Sequence, residues 1–294
     1  ANPSGLVSFT FLLVLPSVVT AFVTYVGDPL AQRSRGFYVG TIPLCLLAAV
    51  VVASLVFLRE GVICIVMLAP FWLALSALGG YLTWRLRKRE EPVENVIRAS
   101  ALLLLPLLSM QVEPMIPLAR DGGSVTRSIV IDADAATVWH YARGVRQIRP
   151  GEGRWNLSQD LIGLPRPIGA SLDREGVGAT RHVVWQEGIR FKEVVTDWQP
   201  GKRLWWDFGF DSTDMEAWAM QDRHLLPDSP HYRITDGGYV LQPLGNGRTR
   251  LTLTTRYWVR TPVNWYAQLW GELFIGDVST NVLTVIRQRS EGRR

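Results

Sequence analysis

The sequence GVGATRHVVWQEGIRFKEVVTDWQPGKRLWWDF, residues 176–208, decides the fold of this chain. Aromatic and β-branched residues dominate three short runs, which is the composition of β-strands. The runs are 180–185, 189–198 and 204–208. The connections between them, QEG and QPGK, consist of residues that favour tight turns. This stretch therefore predicts three consecutive antiparallel strands that form one wall of a curved sheet.

The middle strand of this wall has two mixed faces, because successive side chains of a strand point to opposite sides. One face carries Ile189, Phe191, Glu193, Val195 and Asp197, and the other carries Arg190, Lys192, Val194, Thr196 and Trp198. Neither face is uniformly polar. We therefore expect both faces to contact something, either a helix, a ligand cavity or a membrane surface.

The segments around the wall extend it into a complete domain. A strand is predicted at 126–131, followed by a helix that Asp134 caps, and the Gly-, Pro- and Arg-rich segment 147–172 is predicted to be loop with a short helix. A Gly-Asn-Gly turn joins strands 239–244 and 248–259 into a hairpin.

A long helix is predicted to close the domain, with Thr261 as its cap and Pro262 as its first residue. Its apolar residues recur at intervals of three and four: Tyr266, Leu269, Trp270, Leu273, Phe274, Val278, Val282, Val285 and Ile286. A stripe of this kind predicts that the helix packs on the sheet.

The first part of the chain, residues 1–118, is predicted to be an all-α transmembrane region. Residues 6–26, 38–58 and 62–84 are uncharged runs of roughly 20 residues, long enough to cross the hydrocarbon of a bilayer. A fourth segment, 96–112, has a shorter apolar part. We therefore expect three to four spans, followed by a separate domain at 119–294.

Basic residues favour one orientation of the spans. They cluster in the first loop and after the third span: Arg33, Arg35, Arg85, Arg87, Lys88, Arg89 and Arg98. The positive-inside rule places these segments in the cytoplasm. Four spans then put the domain at 119–294 on the periplasmic side, which is our prediction, whereas three spans leave it in the cytoplasm.

Composition argues against several classes of function. The formal net charge of +5 comes largely from arginines near the span ends, so no basic stripe predicts nucleic-acid binding. Cys45 and Cys64 lie in apolar segments and predict no disulfide framework. The spacing of cysteine and histidine predicts no metal site, and we expect no cofactor.

Four pieces of the chain resemble the START-like superfamily, also called SRPBCC or polyketide cyclase/dehydrase-like proteins. They are SIVIDADAATVW, the opening stretch, GYVLQPLGNGRTRLTLTTRYWV and NWYAQLWGELFIGDVSTNVLTVIRQ, and the resemblance spans about residues 124–288. The chain looks most like bacterial members with a membrane-embedded amino-terminal half, which implies the bacterial inner membrane as its location.

The resemblance implies an α+β helix-grip domain, in which a curved antiparallel sheet grips a long carboxy-terminal helix. Proteins of this superfamily hold lipids, sterols, polyketides or other hydrophobic molecules in an apolar cavity between the two, and some catalyse cyclisation or dehydration there. This chain departs from the simplest members by an insertion at 211–230, which we interpret as a lid, and by its 12 tryptophans.

Aromatic and branched residues on the predicted inner surfaces are the candidate ligand contacts, although core packing explains each of them equally simply. They are Trp185, Phe191, Val195, Trp206, Phe208, Tyr257, Trp270 and Phe274. Glu193 shares a strand face with Phe191 and Val195, and burying its carboxylate is costly unless it is paired or protonated. It is therefore interpreted either as a polar ligand contact or as an ion-pair partner of Arg181 or Arg190.

Three functions are compatible with this pattern. The first is a membrane-anchored protein that binds a hydrophobic small molecule, such as a lipid or isoprenoid, and tryptophans at 198, 205, 218, 258 and 265 could then rest on the bilayer. The second is an accessory subunit of a larger membrane complex. The third is a cyclase or dehydratase in which Glu193, His182 or Tyr257 transfers a proton.

Overall fold

The computed structural model describes residues 8–28, 30–54, 62–87, 104–211 and 226–292. The chain divides into two compact units, Ala1–Ala119 and Arg120–Arg294. Much of the predicted fourth span and most of the predicted lid, at 96–103 and 212–225, lie outside the described residues.

Four helices make up the described part of the amino-terminal unit. They are α1 (Leu15–Gly27, preceded by the π-helical turn Thr10–Val14), α2 (Ile42–Ala53, preceded by the π-helical turn Phe37–Thr41), α3 (Val62–Arg87) and α4 (Leu104–Val112). Only Thr10–Gly27 and Ile63–Arg87 are long and apolar enough to cross a bilayer among the residues described. The prediction of three to four spans is thus too high by this measure, because Phe37–Ala53 is shorter and the described part of α4 has 9 residues.

Small residues bring α1, α2 and α3 into close contact. Ser17 Oγ on α1 donates a hydrogen bond of 2.9 Å to the carbonyl of Leu75, and Ser76 is buried. A Cβ atom on Gly79 would lie 2.5 Å from the Ser17 carbonyl oxygen, and one on Gly80 would meet the Tyr38 carbonyl. Only glycine therefore fits at these two positions.

We expect Gly80→Ala to destabilise the helix bundle, because its methyl group would collide with backbone atoms that cannot rotate away. Overpacking of this kind costs about 1–3 kcal/mol. Gly40→Ala is the matched control, since nothing lies within 4 Å of a Cβ atom at that position. Thermal unfolding of the full chain in detergent should show a lower melting temperature for Gly80→Ala and no decrease for Gly40→Ala; equal melting temperatures would contradict this account of the packing.

Polar contacts define the two ends of the bundle. At one end, the carboxylate of Asp28 accepts a 2.7 Å hydrogen bond from Tyr38 Oη. Arg87 Nη1 in turn donates a 3.3 Å hydrogen bond to Tyr38 Oη. At the other end, Glu113 accepts hydrogen bonds from the backbone N–H groups of Phe9 and Thr10 at 2.6 and 3.3 Å. Consecutive helices therefore run in alternating directions, and α4 ends beside the start of the first helix.

The carboxy-terminal unit is built on a seven-stranded antiparallel sheet. Its strands are β1 (Asp121–Ile131), β2 (Pro167–Leu172), β3 (Thr180–Trp185), β4 (Arg190–Gln199), β5 (Arg203–Gly209), β6 (Tyr232–Gly245) and β7 (Arg248–Val259). The strand order is β1-β7-β6-β5-β4-β3-β2. The predicted three-strand wall is confirmed as β3, β4 and β5, and the predicted hairpin as β6 and β7.

One strand of the sheet was not predicted. Residues 147–172 were expected to be loop with a short helix, and a π-helical turn does occur at Leu157–Leu161. The end of the segment, however, is the edge strand β2, which pairs with β3 from Pro167 to Leu172. Its sequence, PIGASL, is poor in the β-branched and aromatic residues that usually identify a strand.

The sheet has one buried face and one face that is exposed along most of β4, although Trp198 near the end of that strand packs against the main core. Phe191, Glu193 and Val195 are buried, whereas Lys192 and Val194 between them are exposed. The inner face therefore holds the core, and the outer face of β4 is exposed from Arg190 to Thr196.

Two helices cover the inner face. Helix α5 (Ala135–Ala142) begins as predicted, because Asp134 Oδ1 accepts a 2.8 Å hydrogen bond from Thr137 N. Helix α6 (Asn264–Ser290) begins later than predicted. Thr261 N donates to Asn264 Oδ1 at 2.6 Å, so Thr261 and Pro262 belong to the turn before the helix.

Candidate ligand-binding site

The two ends of the sheet differ in how tightly they are filled. At one end of the sheet, Asp121 of β1 and Tyr232 of β6 both pair with Val259 of β7, and α6 starts nearby. We call this the mouth end. The far end contains Ile131 and the hairpin at Arg248. Every buried residue of α6 lies at Gly276 or beyond, so the helix is buried at the far end and partly uncovered at the mouth end.

Four aromatic rings line the inner face of β3, β4 and β5 at the mouth end. We call Trp185, Phe191, Phe208 and Phe210 the sheet row. The Phe191 ring centre lies 5.8 Å from that of Trp185, 6.0 Å from that of Phe208 and 5.7 Å from that of Phe210. Phe191 is buried, and the other three rings are partly exposed.

A second row of rings runs along α6. Tyr266, Trp270 and Phe274, spaced by four residues, form the helix row, with ring centres 6.2 and 5.3 Å apart. Further along the same helix, Val282 packs against the main core. All three rings are partly exposed.

Among the described residues, the ring contacts of the central aromatic side chains stay within each row. In the described ranges, Phe191, Phe208 and Phe210 make ring contacts with one another, and Trp270 and Phe274 make ring contacts within the helix row. No ring contact joins these three phenylalanines to Trp270 or Phe274 in that part of the chain. Partly exposed rings on the inner face of a sheet and on the helix that covers it offer an apolar lining for a guest molecule.

Two predicted ligand contacts lie instead in the main core. Val195 and Trp206 are 1% and 3% exposed and belong to one cluster with Leu283 and Ile286 of α6. At this depth of the sheet, the helix and the strands fill the space between them. Val195 and Trp206 therefore form the floor below the two rows.

Tyr257 also lies away from the sheet row, in a small cluster with Val125 and Val259. A Cβ atom on Gly271 of α6 would lie 2.7 Å from Tyr257 Oη, and one on Gly123 of β1 would collide with the ring. Both glycines are thus needed for the helix to lie close to β1 and β7 at this point. Burial raises the pKa of Tyr257, so the phenol stays protonated.

Glu193 forms a buried ion pair with Arg181, which is one of the two interpretations that the sequence left open. The two residues are register partners on β4 and β3, and Arg181 Nη1 lies 2.5 Å from Glu193 Oε2. Their side chains are 8% and 3% exposed, respectively. The alternative partner, Arg190, is exposed on the strand.

The surroundings of this ion pair are aromatic. The guanidinium carbon of Arg181 lies 4.4 Å from the ring centre of Trp206 and 5.8 Å from that of Tyr239, so cation–π attraction holds the cation inside the sheet. Burial raises the pKa of Glu193 to about 7, and the positive charge of Arg181 opposes that rise. Burial likewise raises the pKa of Tyr239 to about 12.

The three candidate proton-transfer residues do not converge. Glu193 points into the core, His182 is exposed on the opposite face of the sheet, where its register partner is Lys192, and Tyr257 belongs to a separate cluster. General acid–base catalysis needs groups within hydrogen-bond reach of one substrate. Among the described residues, no group of three or more His, Cys, Asp or Glu side chains has the geometry to hold a metal ion.

Most of the tryptophans proposed to face a bilayer have partners in the protein. The Trp198 ring packs against that of Trp139 at 5.0 Å, and Trp205 Nε1 donates to Asp236 at 3.0 Å. Arg120 lies over the ring of Trp258 at 4.4 Å. Trp265 is largely exposed, and its ring contacts that of Tyr266 at 5.6 Å. Residue 218 lies outside the described ranges.

Sequence reasoning missed three members of the site. Phe210 was omitted because it follows the last predicted strand, although it continues the alternation of Trp206 and Phe208. Tyr266 was recognised only as part of an apolar stripe. Tyr239 was assigned to a hairpin strand without a role, and only the pairing of β6 with β5 shows that it lies beside Arg181.

Comparison with known proteins gives similarities of fold at low identity. No protein-family model and no curated protein matches the chain. Similar solved structures include an aromatase/cyclase from a Streptomyces species, with 16% identity, a TM-score of 0.35, and coverage of 59% of this chain and 97% of that chain. A norcoclaurine synthase from Thalictrum flavum has 11% identity and a TM-score of 0.34, with coverage of 57% and 96%. A protein from Thermus thermophilus has 18% identity and a TM-score of 0.35, with coverage of 57% and 97%.

The assignment of the fold follows from the structure of the unit itself. The chain order is strand, helix, a run of antiparallel strands and a long closing helix. The closing helix packs on the inner face of one continuous sheet. The carboxy-terminal unit therefore has the helix-grip fold that the sequence predicts.

Proposed function

We propose that the carboxy-terminal unit binds a hydrophobic small molecule, such as a lipid or isoprenoid, between the sheet row and the helix row. The observation that carries this proposal is the pair of partly exposed aromatic rows, one on the inner face of the sheet and one on α6. Their central rings contact one another within each row, and among the described residues no ring contact joins Phe191, Phe208 or Phe210 to Trp270 or Phe274. Apolar rings left open to water on a concave surface favour a ligand that covers them.

The floor of this site suits a mainly apolar guest. Val195 and Leu204 are fully buried beneath the two rows. The charges of Arg181 and Glu193 compensate one another in a buried ion pair. A guest with a formal charge would have to disrupt that pair or remain unpaired in the core, and both are costly. The proposed ligand is therefore neutral, or has its polar end at the mouth.

We also propose that the amino-terminal unit anchors the protein in a membrane. The two long apolar helices support this, and so does the alternating path of α1 to α4. Arg33, Arg35 and Arg87 lie at the same end of the bundle as Asp28, whereas Glu113 lies at the opposite end, from which the chain continues to β1. By the positive-inside rule, the START-like unit is then periplasmic.

Labelling with a membrane-impermeant maleimide tests this orientation. We expect Val177→Cys, at an exposed position in the carboxy-terminal unit, to react in intact spheroplasts, and Ser34→Cys to react only after lysis. Both variants are made in a Cys45→Ser/Cys64→Ser background. The reverse pattern would place the unit in the cytoplasm.

Mass spectrometry of the natively purified full chain tests ligand binding itself. We expect a defined hydrophobic molecule, released on organic extraction in a fixed ratio to protein and enriched over the lipids of the surrounding membrane. A membrane protein of similar span content, purified in parallel, gives the background of bulk lipid. Recovery of that background alone would contradict the proposal.

A further inference from the structure

Two buried hydrogen-bond donors in the floor of the proposed site have no acceptor in the described part of the chain. They are Nε of Arg181 and Nε1 of Trp206. The two residues are 2% and 3% exposed, so bulk water reaches neither nitrogen. A buried donor that loses its water and gains no acceptor destabilises the fold, and native structures rarely keep one. Two such donors at one place therefore need an explanation.

The two donors lie side by side. The guanidinium carbon of Arg181 lies 4.4 Å from the ring centre of Trp206, so the cation covers the face of the indole. Arg181 pairs with Glu193, which is the register partner of Phe208 in the sheet row. The ring centres of Trp206 and Phe208 are 6.3 Å apart. The two donors are thus at the boundary between the floor and the sheet row.

The group that would complete this place is an acceptor. Arginine and tryptophan side chains have N–H donors and no acceptor. Glu193 Oε2 accepts from Nη1 of Arg181 and leaves Nε without a partner. A carbonyl oxygen has two lone pairs and carries no proton, so it accepts from both donors and adds no unpaired donor of its own. A neutral carbonyl also leaves the charges of Arg181 and Glu193 compensated, whereas a carboxylate would meet the Glu193 carboxylate in the same buried place.

We propose that Nε of Arg181 and Nε1 of Trp206 bind a neutral carbonyl oxygen at the buried end of the hydrophobic ligand. The guest is then a mainly apolar ketone, quinone or ester that enters with its carbonyl end first and lays its apolar part against the two aromatic rows. This inference rests on the proposed ligand site and names the class of molecule that the site takes. A hydrocarbon of the same shape leaves both donors unpaired and binds more weakly.

Trp206→Phe tests the carbonyl site, because it removes the indole N–H and keeps an aromatic ring beneath Arg181. Arg181 itself stays in place, since its removal would break the buried ion pair and destabilise the unit. Two probes of matched shape are compared, methyl naphthyl ketone and isopropenylnaphthalene, in which a methylene group replaces the carbonyl oxygen. Equilibrium dialysis of the full chain in nanodiscs gives their dissociation constants, with empty nanodiscs as the blank for partition into lipid. Trp139→Phe is the control, because Trp139 is a buried indole of the same core cluster.

We expect the wild-type chain to bind the ketone about tenfold more tightly than the hydrocarbon, and Trp206→Phe to lose most of that preference. Trp139→Phe should keep the wild-type ratio of the two dissociation constants. Equal affinities of the wild-type chain for the two probes, the result expected if the donors bind only water, would overturn the carbonyl site and leave the apolar site intact. An unchanged ratio in Trp206→Phe would do the same. Binding of neither probe would contradict the proposed function itself.

Discussion

Arg181→Met should destabilise the carboxy-terminal unit by about 3–5 kcal/mol at pH 8, which is the usual cost of removing one partner of a buried ion pair. The substitution leaves the Glu193 carboxylate in the core without its ion-pair partner. It also removes the cation from the faces of Trp206 and Tyr239. Urea unfolding of the full chain in nanodiscs, followed by hydrogen exchange of β3 and β4, measures the loss.

Two controls separate burial from charge. Arg233→Met removes a partner of Asp228 from a pair whose side chains are 49% and 39% exposed, and such pairs contribute about 0–1 kcal/mol. The double variant Arg181→Met/Glu193→Leu removes both buried charges, so it should recover much of the stability lost in Arg181→Met. Equal losses of stability for Arg181→Met and Arg233→Met would contradict the conclusion that Arg181 and Glu193 form a buried ion pair.

The pH dependence of stability gives an independent view of Glu193. Its pKa of about 7 lies above the ordinary value of 4.5, so the folded state binds a proton more tightly than the unfolded state does. The stabilisation from this proton is fully present below a pH of 4.5 and is lost as the pH rises through about 7. Glu193→Gln should therefore flatten the stability profile between these two values.

Trp270→Ala/Phe274→Ala should abolish retention of the co-purified hydrophobic molecule while leaving the fold intact. Both rings are partly exposed and contact one another, so their loss creates no closed cavity in the core. A ligand that covers about 100 Å² of each ring gains about 2.5 kcal/mol per ring, and each loss then weakens binding by more than about tenfold. Mass spectrometry of the extracted molecule, per mole of protein, is the readout.

Trp155→Ala is the control for this experiment, because Trp155 is exposed and belongs to neither row. It removes an indole of the same kind from the same unit. We expect it to keep the wild-type ligand content. If the double variant also kept the wild-type content, the helix row would not be part of the site.

The sequence was most informative where local pattern determines structure. Alternation and turn composition predicted β3, β4 and β5, and Asn246 with φ of 51° adopts the left-handed backbone expected of the Gly-Asn-Gly turn. Asp134 caps its helix as expected. These features depend on neighbouring residues and were therefore accessible without coordinates.

Features that depend on distant segments were not accessible. Whether Glu193 pairs with Arg181 or Arg190 is decided by the register of β3 on β4, which alternation alone does not fix. Trp206 lies in the floor of the site and Phe208 in its lining. Which of the two is covered depends on where α6 crosses the sheet. The edge strand β2 pairs with β3 along one side only. Its sequence is poor in β-branched and aromatic residues and therefore did not predict a strand.

A density map of the natively purified full chain tests the central claim most directly. The claim predicts elongated density for an apolar molecule between Phe191 and Phe208 on one side and Trp270 and Phe274 on the other, above the floor formed by Val195 and Trp206. Rings of the two rows in van der Waals contact, with no density between them, would contradict it.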